Sequence, residues 1–315
     1  NISGLTGGAA GRTLFIHNVG SNNITFLASS SLSLSANQFL FAGPLILRPN
    51  ENVTLQYDGV SSGWRTLTQN IVQPIPSSYS NLLLTNGGTP NSQGAGSASF
   101  FTLANTNNTV IRLSSLSCTA DITASGAGGL DTGSVASNTW YSYWFIYNPS
   151  SGTTSCLWST ASAFSSLTLP SGYTFAGRVG WMRTDGSSNF YRTRQSGNTT
   201  NYVVVTGTNM ANLRQMVSGT TSSAWSATAV ANYVPTTASQ IGVVVVSGGA
   251  NVGVAPTADY GALNSTSNPA PVVMNLTVSS LLTQTVYMVL SSANIYYASS
   301  GATGYLYVLG WVDNL

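Results

Sequence analysis

Charge is what this sequence has least of. Only 5% of its 315 residues are Asp, Glu, Lys or Arg, against about 25% in an ordinary soluble domain. There is no lysine, and the nine cationic side chains are arginines scattered from Arg12 to Arg214. Glu51 is the single glutamate and His17 the single histidine. Each shortage excludes something. Phosphate backbones are held by many cations displacing counterions, so a net charge of +2 without a basic cluster argues against nucleic acid as a partner. A phosphate-cradling loop that ends in lysine cannot exist here. Metal sites need clusters of His, Cys or carboxylate, and the sequence shows none, so no metal or other cofactor is expected. The longest apolar runs, such as Ile241 to Val246, fall far short of the ~18 residues that span a bilayer, and no membrane insertion is expected. No charged segment followed by an apolar one opens the chain, so no signal peptide is expected. The two cysteines, Cys118 and Cys156, sit in apolar, strand-like surroundings. Buried reduced thiols are the favoured reading and a disulfide the alternative, because pairing depends on geometry.

The scarcity of acids limits catalysis as well. LDTGS, Leu130 to Ser134, matches the signature of pepsin-like aspartic proteases. That chemistry needs two such aspartates sharing one proton, and only one motif is present. A Gly-flanked Asp131 capping a turn is the simpler expectation. Glycan cleavage also needs paired carboxylates. Asp121 with Asp131, or Asp185 with Asp259, could converge only through folding, so a glycan depolymerase is the weaker alternative and the chain is expected not to be an enzyme. His17 lies inside TLFIHNV with no nucleophile elbow anywhere, which reads as a strand histidine facing solvent or a subunit contact.

What the chain has in quantity is Ser, Thr, Asn, Gly and aromatic rings. From Thr13 to Thr68 it reads as short strands, TLFIHN, NITFLA, QFLFAG, LILRP, NVTLQYDG and WRTL, each bounded by turn residues. Asp58-Gly59 is a turn signal. Pro74 and Pro76 withdraw two ladder donors. The expected organisation is a small N-terminal β domain over 1–70, for assembly or attachment, a linker over 71–80, and a larger domain over 81–315. In that larger part strands recur roughly every ten residues, the rhythm of an antiparallel β-sandwich or jelly roll. The predicted strands are Ala98 to Leu103, Thr109 to Leu116, Ala120 to Ala124, Trp140 to Asn148, Arg178 to Arg183, Tyr202 to Thr206, Gly242 to Ser247, Val272 to Val278, Val286 to Ser291 and Tyr305 to Val312. Ser125 to Ser134 reads as a loop, and Met210 to Val217 as a short helix on the spacing of Met210, Leu213 and Val217. Gly180-Trp181 and Gly310-Trp311 look like core strands in which glycine lets a neighbouring ring approach the backbone. The fold class is therefore all-β.

NTWYSYWFIYNP, Asn138 to Pro149, places rings on both parities of one strand: Trp140 and Trp144 on one face, Tyr141, Tyr143, Phe145 and Tyr147 on the other. Such a strand has no wet face. Its second side is covered by the same chain or by a neighbouring subunit, and the expectation is a partial subunit contact through Tyr141, Tyr143 and Tyr147. Elsewhere, Trp225, Tyr233, Tyr260, Tyr296 and Tyr297 lie in Ser/Asn-rich neighbourhoods. Neutral sugars stack on such rings while amides and arginines bond their hydroxyls, so these five are the candidate ligand-binding residues.

The run ADITASGAGGLDTGSVASNTWYSYWFIYNPSSGT from Ala120, with LWSTASAFSSLTLPSGYT and RVGWMRTDGS after it, resembles segments of tailed-bacteriophage tail fibres and related virion proteins. GRTLFIHNVGSNNITFLA and LILRPNENVTLQYDGVSSGWRTL are similar to a small β module of such proteins. The resemblance covers about half the chain, mostly before residue 195. It implies a non-enzymatic virion component, a homotrimer that assembles with other virion proteins in the host cytoplasm, is carried on the extracellular particle and contacts a host-surface glycan or protein. From Asn198 onward the chain lies outside the resemblance, and a receptor-binding part is expected within 198–315. A head fibre, a capsid decoration protein and a carbohydrate-binding module without catalysis are the alternatives.

Overall fold

The computed structural model describes residues 1–41, 43–70, 79–107, 109–221, 224–274 and 281–315. Among these there are strands and two single-turn 3-10 helices, Ser35–Asn37 and Phe164–Ser166, and no α-helix. The chain divides into two compact units, Asn1–Pro74 and Ile75–Leu315. Most of the expected linker, 71–78, and the end of the expected strand Val272 to Val278 lie outside the described residues. Tyr79–Ser80, placed in that linker by the sequence reading, is instead a short strand on Gln93–Ala104.

The first unit is organised by Asn52–Asp58, whose alternating sequence NVTLQYD turns Val53, Leu55 and Tyr57 inward. It pairs antiparallel with Thr13–His17 on one side and Gly63–Asn70 on the other. A second pair, Ile24–Phe26 with Leu45–Leu47, lies beside it in sequence order. Phe26, Phe39, Leu47, Val53, Leu55 and Trp64 are fully buried together. The turn at Asp58 forms as its sequence suggests: one carboxylate oxygen accepts the N–H groups of Val60 at 2.9 Å and Ser61 at 3.2 Å. The other accepts Arg65 Nε at 2.8 Å. His17 is exposed at the end of its strand.

The second unit is built on a 13-stranded antiparallel sheet. Its path runs Thr153–Ser159, Trp140–Asn148, Phe175–Arg183, Gln93–Ala104, Leu83–Asn86, Thr193–Ser196, Thr199–Tyr202, Gly304–Asp313, Ala238–Ser247 and Leu282–Val289. Val110–Asp121 and Arg214–Ser218 pair alongside Gln93–Ala104 and Gly304–Asp313 respectively. A separate four-stranded sheet follows the order Ser226–Ala229, Asn294–Ser299, Val252–Ala255, Val272–Met274. Val252, Val254, Ile295 and Tyr297 of the small sheet meet Val243, Val245, Leu306, Val308 and Trp311 of the large one in a common core. The fold is thus all-β and antiparallel, with a large sheet closed on one part by a smaller one.

Gly180 and Gly310, which precede the buried Trp181 and Trp311, leave room for close neighbours. A Cβ at Gly180 would stand 1.8 Å from Gln195 Oε1, and one at Gly310 would stand 2.0 Å from the carbonyl oxygen of Thr200. These glycines admit an amide and a backbone carbonyl, where the sequence reading expected rings.

Four further expectations are corrected. The strand expected over Thr109 to Leu116 continues to Asp121 as Val110–Asp121, and Ile122, Thr123 and Ala124 of the second expected strand form a turn. Val203, Val204 and Val205 lie past the end of Thr199–Tyr202 and are exposed. The predicted helix over 210–217 is extended from Arg214 onward, with a bulge between Gln215 and Val217. Its apolar spacing covers little more than two turns, too little to repay helix nucleation, while Gly304–Asp313 presents an edge to pair with. Finally, Cys118 and Cys156 form a disulfide with a Cα–Cα distance of 5.9 Å, well inside the span a disulfide bridges.

Trp140–Asn148 keeps the bounds its sequence suggests, but both its faces are sealed by its own unit. Tyr141, Tyr143 and Phe145 enter a core with Phe101, Trp158 and Phe190. Trp144 and Ile146 enter another, against Leu157 and Ala176 and under Phe164, Leu167, Leu169 and Tyr173 of the connection between Thr153–Ser159 and Phe175–Arg183. Tyr141 is 2% exposed and Tyr143 0%, so the subunit contact expected of them has no surface to use. Tyr147, half-buried beside Phe175, keeps part of its own.

Candidate functional site: an arginine–tyrosine recess

Several strand ends of the second unit converge on one cluster. Arg183 closes Phe175–Arg183, Tyr202 closes Thr199–Tyr202, and Arg214 opens Arg214–Ser218. Tyr191 precedes Thr193–Ser196, while Asn232 and Tyr233 lie in the turn after Ser226–Ala229. The guanidinium of Arg214 lies 4.2 Å from the ring centroid of Tyr191, 4.8 Å from that of Tyr233 and 5.4 Å from that of Tyr202. Ring faces at these distances attract a cation. Nη1 of Arg214 donates to Tyr202 Oη at 2.8 Å and to the Asn232 carbonyl at 2.6 Å. Arg183 Nη2 donates to the side-chain oxygen of the same Asn232 at 2.9 Å and to the Asn138 carbonyl.

The cluster is short of negative charge. The ion pairs among the described residues are Arg48–Glu51, Arg65–Asp58 and Arg178–Asp313, so Arg183 and Arg214 have no acidic partner there. Burial, reinforced by the nearby charge of Arg214, lowers the pKa of Arg183. Burial pushes the Tyr202 phenol up to about 12 against the pull of Arg214. Arg183 Nε is buried without an acceptor. Donors outnumber acceptors here.

Arg214 opens onto a recess of about 350 Å3 lined by Tyr191, Asn209, Asn212, Gln215 and Tyr233, a size within the usual range for small-ligand sites. Beside it runs a groove of about 610 Å3 that shares Asn212, Leu213 and Gln215 and continues along Val204, Val244 and Tyr307. Asn212 is exposed, and its amide makes no hydrogen bond among the described residues.

Of the five aromatic candidates, Tyr233 alone lines this recess. Trp225 is pinned elsewhere, its Nε1 donating to the carbonyls of Tyr260 and Gly261 at 3.0 and 2.9 Å while its ring covers Gly253. Trp225 and Tyr260 are therefore together, in a loop closure on the small sheet. Tyr296 is half-buried on Asn294–Ser299, and Tyr297, on the opposite face of that strand, is fully buried in the core with its hydroxyl on the Gly219 carbonyl. Tyr297 is thereby corrected from ligand candidate to core residue. Arg214, Tyr191, Tyr202 and Asn232 escaped the sequence reading. The clue available was that Arg214 is the last cation of the chain, flanked by Asn212 and Gln215 amid Tyr-bearing turns.

Three of the four carboxylates considered for catalysis are spent on structure, and the fourth, Asp259, is exposed. Asp131 accepts Ser159 Oγ at 2.6 Å and the Thr132 N–H at 2.7 Å. Burial opposes ionisation of Asp121, but bonds from Thr123, Gln93 and Ser92 outweigh it and hold the pKa below the ordinary value, the reverse of what a general acid needs. Asp185 accepts the N–H groups of Ser187 and Asn189 and the amide of Asn209. Among the described residues no three His, Cys, Asp or Glu side chains gather as a metal site would require.

The arrangement defines an all-β protein with an open, cationic, ring-lined recess. Comparison of the chain with protein-family models finds no match, and comparison with curated proteins and with solved structures finds none either.

Proposed function

We propose that the chain is a non-catalytic virion component, a tail-fibre or receptor-binding subunit that contacts a host-surface glycan or protein. The observation that carries the reading is the recess at Arg214. Its apolar rings and unengaged amide lie side by side on strand ends, the combination that recognises a sugar's faces and hydroxyls together. It falls within 198–315 apart from Tyr191, the part that lies outside the resemblance and is expected to hold a receptor-specific surface. The Cys118–Cys156 disulfide agrees with service outside a cell, where such bonds persist. A polar surface almost without charge suits an extracellular particle. Adsorption competition tests the proposal: the purified chain at saturation should slow attachment of the phage that carries it, and undiminished attachment would remove the receptor role. A head fibre or decoration protein would leave attachment unchanged while still binding the capsid.

A second reading, a monomeric carbohydrate-binding module, is favoured by one observation. Both faces of Trp140–Asn148 are closed by the chain itself, so that strand no longer argues for a trimer. Molar mass in solution separates the two, since the first reading requires a homotrimer and the second a single chain.

A further inference from the structure

The same recess carries information about the kind of ligand. Two guanidiniums hang on one residue, Asn232, through its side-chain oxygen and its backbone carbonyl, at 2.9 and 2.6 Å. Like charges placed so close repel, and among the described residues no acid lies within ion-pair distance of either. Three tyrosine faces offset part of that charge. If Arg214 were only a brace for Tyr202 and Asn232, its Nη1 would suffice, since that atom makes both bonds. Its Nε and Nη2 make no hydrogen bond among the described residues, and they form one edge of the guanidinium fork. That edge matches a carboxylate or a phosphate oxygen pair. Asp185, which bonds the lining residue Asn209, already accepts two backbone N–H groups besides that amide.

We propose that the recess takes an acidic sugar, one bearing a carboxylate or a phosphate ester, with the oxyanion on Arg214 and the hydroxyls on Asn212 and Gln215. The inference rests on the glycan-binding reading above and narrows it to charge. A neutral sugar would leave the two guanidiniums uncompensated, whereas an oxyanion is drawn by both and gains charge-assisted bonds about twice as strong as neutral ones. The rings of Tyr191 and Tyr233 lend the recess its apolar sides.

The test is calorimetric titration of the full chain with three probes: glucuronic acid, glucose 1-phosphate and glucose. At least one of the acids should bind roughly tenfold or more tighter than glucose, and added salt should weaken the acid's binding and leave that of glucose unchanged. A preference between the two acids identifies the source of the charge as uronic or phosphorylated. Arg214→Gln should abolish the preference. Asn212→Ala, an exposed change that leaves the core intact, should weaken the acids severalfold and serves if Arg214→Gln fails to fold. Glucose bound as tightly as both acids would overturn the acidic ligand and leave the glycan reading standing. Acid binding that survives Arg214→Gln in a folded variant would overturn the site, and failure of all three probes to bind would overturn both.

Discussion

Tyr143 and Trp144 are neighbours in sequence buried in two separate cores. Tyr143 lies 4.9 Å from the ring of Trp158, with its hydroxyl on the Cys118 carbonyl at 2.7 Å. Trp144 points the other way, its Nε1 on Ser142 Oγ at 2.7 Å, beneath Phe164, Leu167, Leu169 and Tyr173. Their burial accounts for a strand with rings on both parities without invoking a second chain. Ser142, the buried polar residue beside Trp144, is satisfied by carbonyls of Ser159 and Ala161.

Trp144→Ala should therefore act as a core truncation. Removing a buried ring of this size costs about 3–5 kcal/mol, and the urea midpoint should fall accordingly. The molar mass in solution should not change, because the ring meets only its own chain. A variant that dissociates an oligomer at unchanged midpoint would contradict this account.

The disulfide should matter to the second unit. Cys118 and Cys156 are separated by 38 residues, and closing a loop of that size in the unfolded chain stabilises by about 2–4 kcal/mol. Reduction, or replacement of both cysteines by serine, should lower Tm by roughly 5–10 °C. A melting curve indifferent to reductant would show that the bond adds nothing.

Asp58 predicts an acid sensitivity in the first unit. The Arg65 guanidinium, followed by Ser61 and Val60, holds its carboxyl well below the usual carboxylate range. A pKa depressed in the folded state means that the contribution is present above the unfolded value of about 3.9 and is lost as pH falls through the folded value. The indole signal of Trp64, a ring packed against Tyr57 in the same hairpin, reports that unit's unfolding. Asp58→Asn should flatten its pH dependence below about pH 4, and an unchanged acid profile would show that the turn carries no linked proton.

Local pattern was legible where one element explains itself. Asn52–Asp58 alternates strictly, and Trp140–Asn148 is bounded by residues that end strands, so both were readable in outline. Residues 210–217 were not, because a short apolar spacing fits two periods and the choice was made by the edge of Gly304–Asp313. The cover over Trp144 was invisible for a related reason: Leu167 and Leu169 sit in a Ser-rich stretch that reads as an ordinary loop. A polar neighbourhood singles out the aromatic candidates but says nothing about parity. Tyr296 and Tyr297 share that neighbourhood but occupy opposite faces of one strand. The cluster at the recess joins Arg183, Tyr202, Arg214 and Asn232 from four separate segments, a convergence set by sheet order rather than by any spacing along the chain.

The central claim is that this chain meets the host through the recess at Arg214. Adsorption competition with the wild-type chain and Arg214→Gln side by side tests it most directly. The account predicts that the folded wild type slows phage attachment severalfold while the equally folded variant does not. Equal competition by both proteins, or by neither, would contradict it.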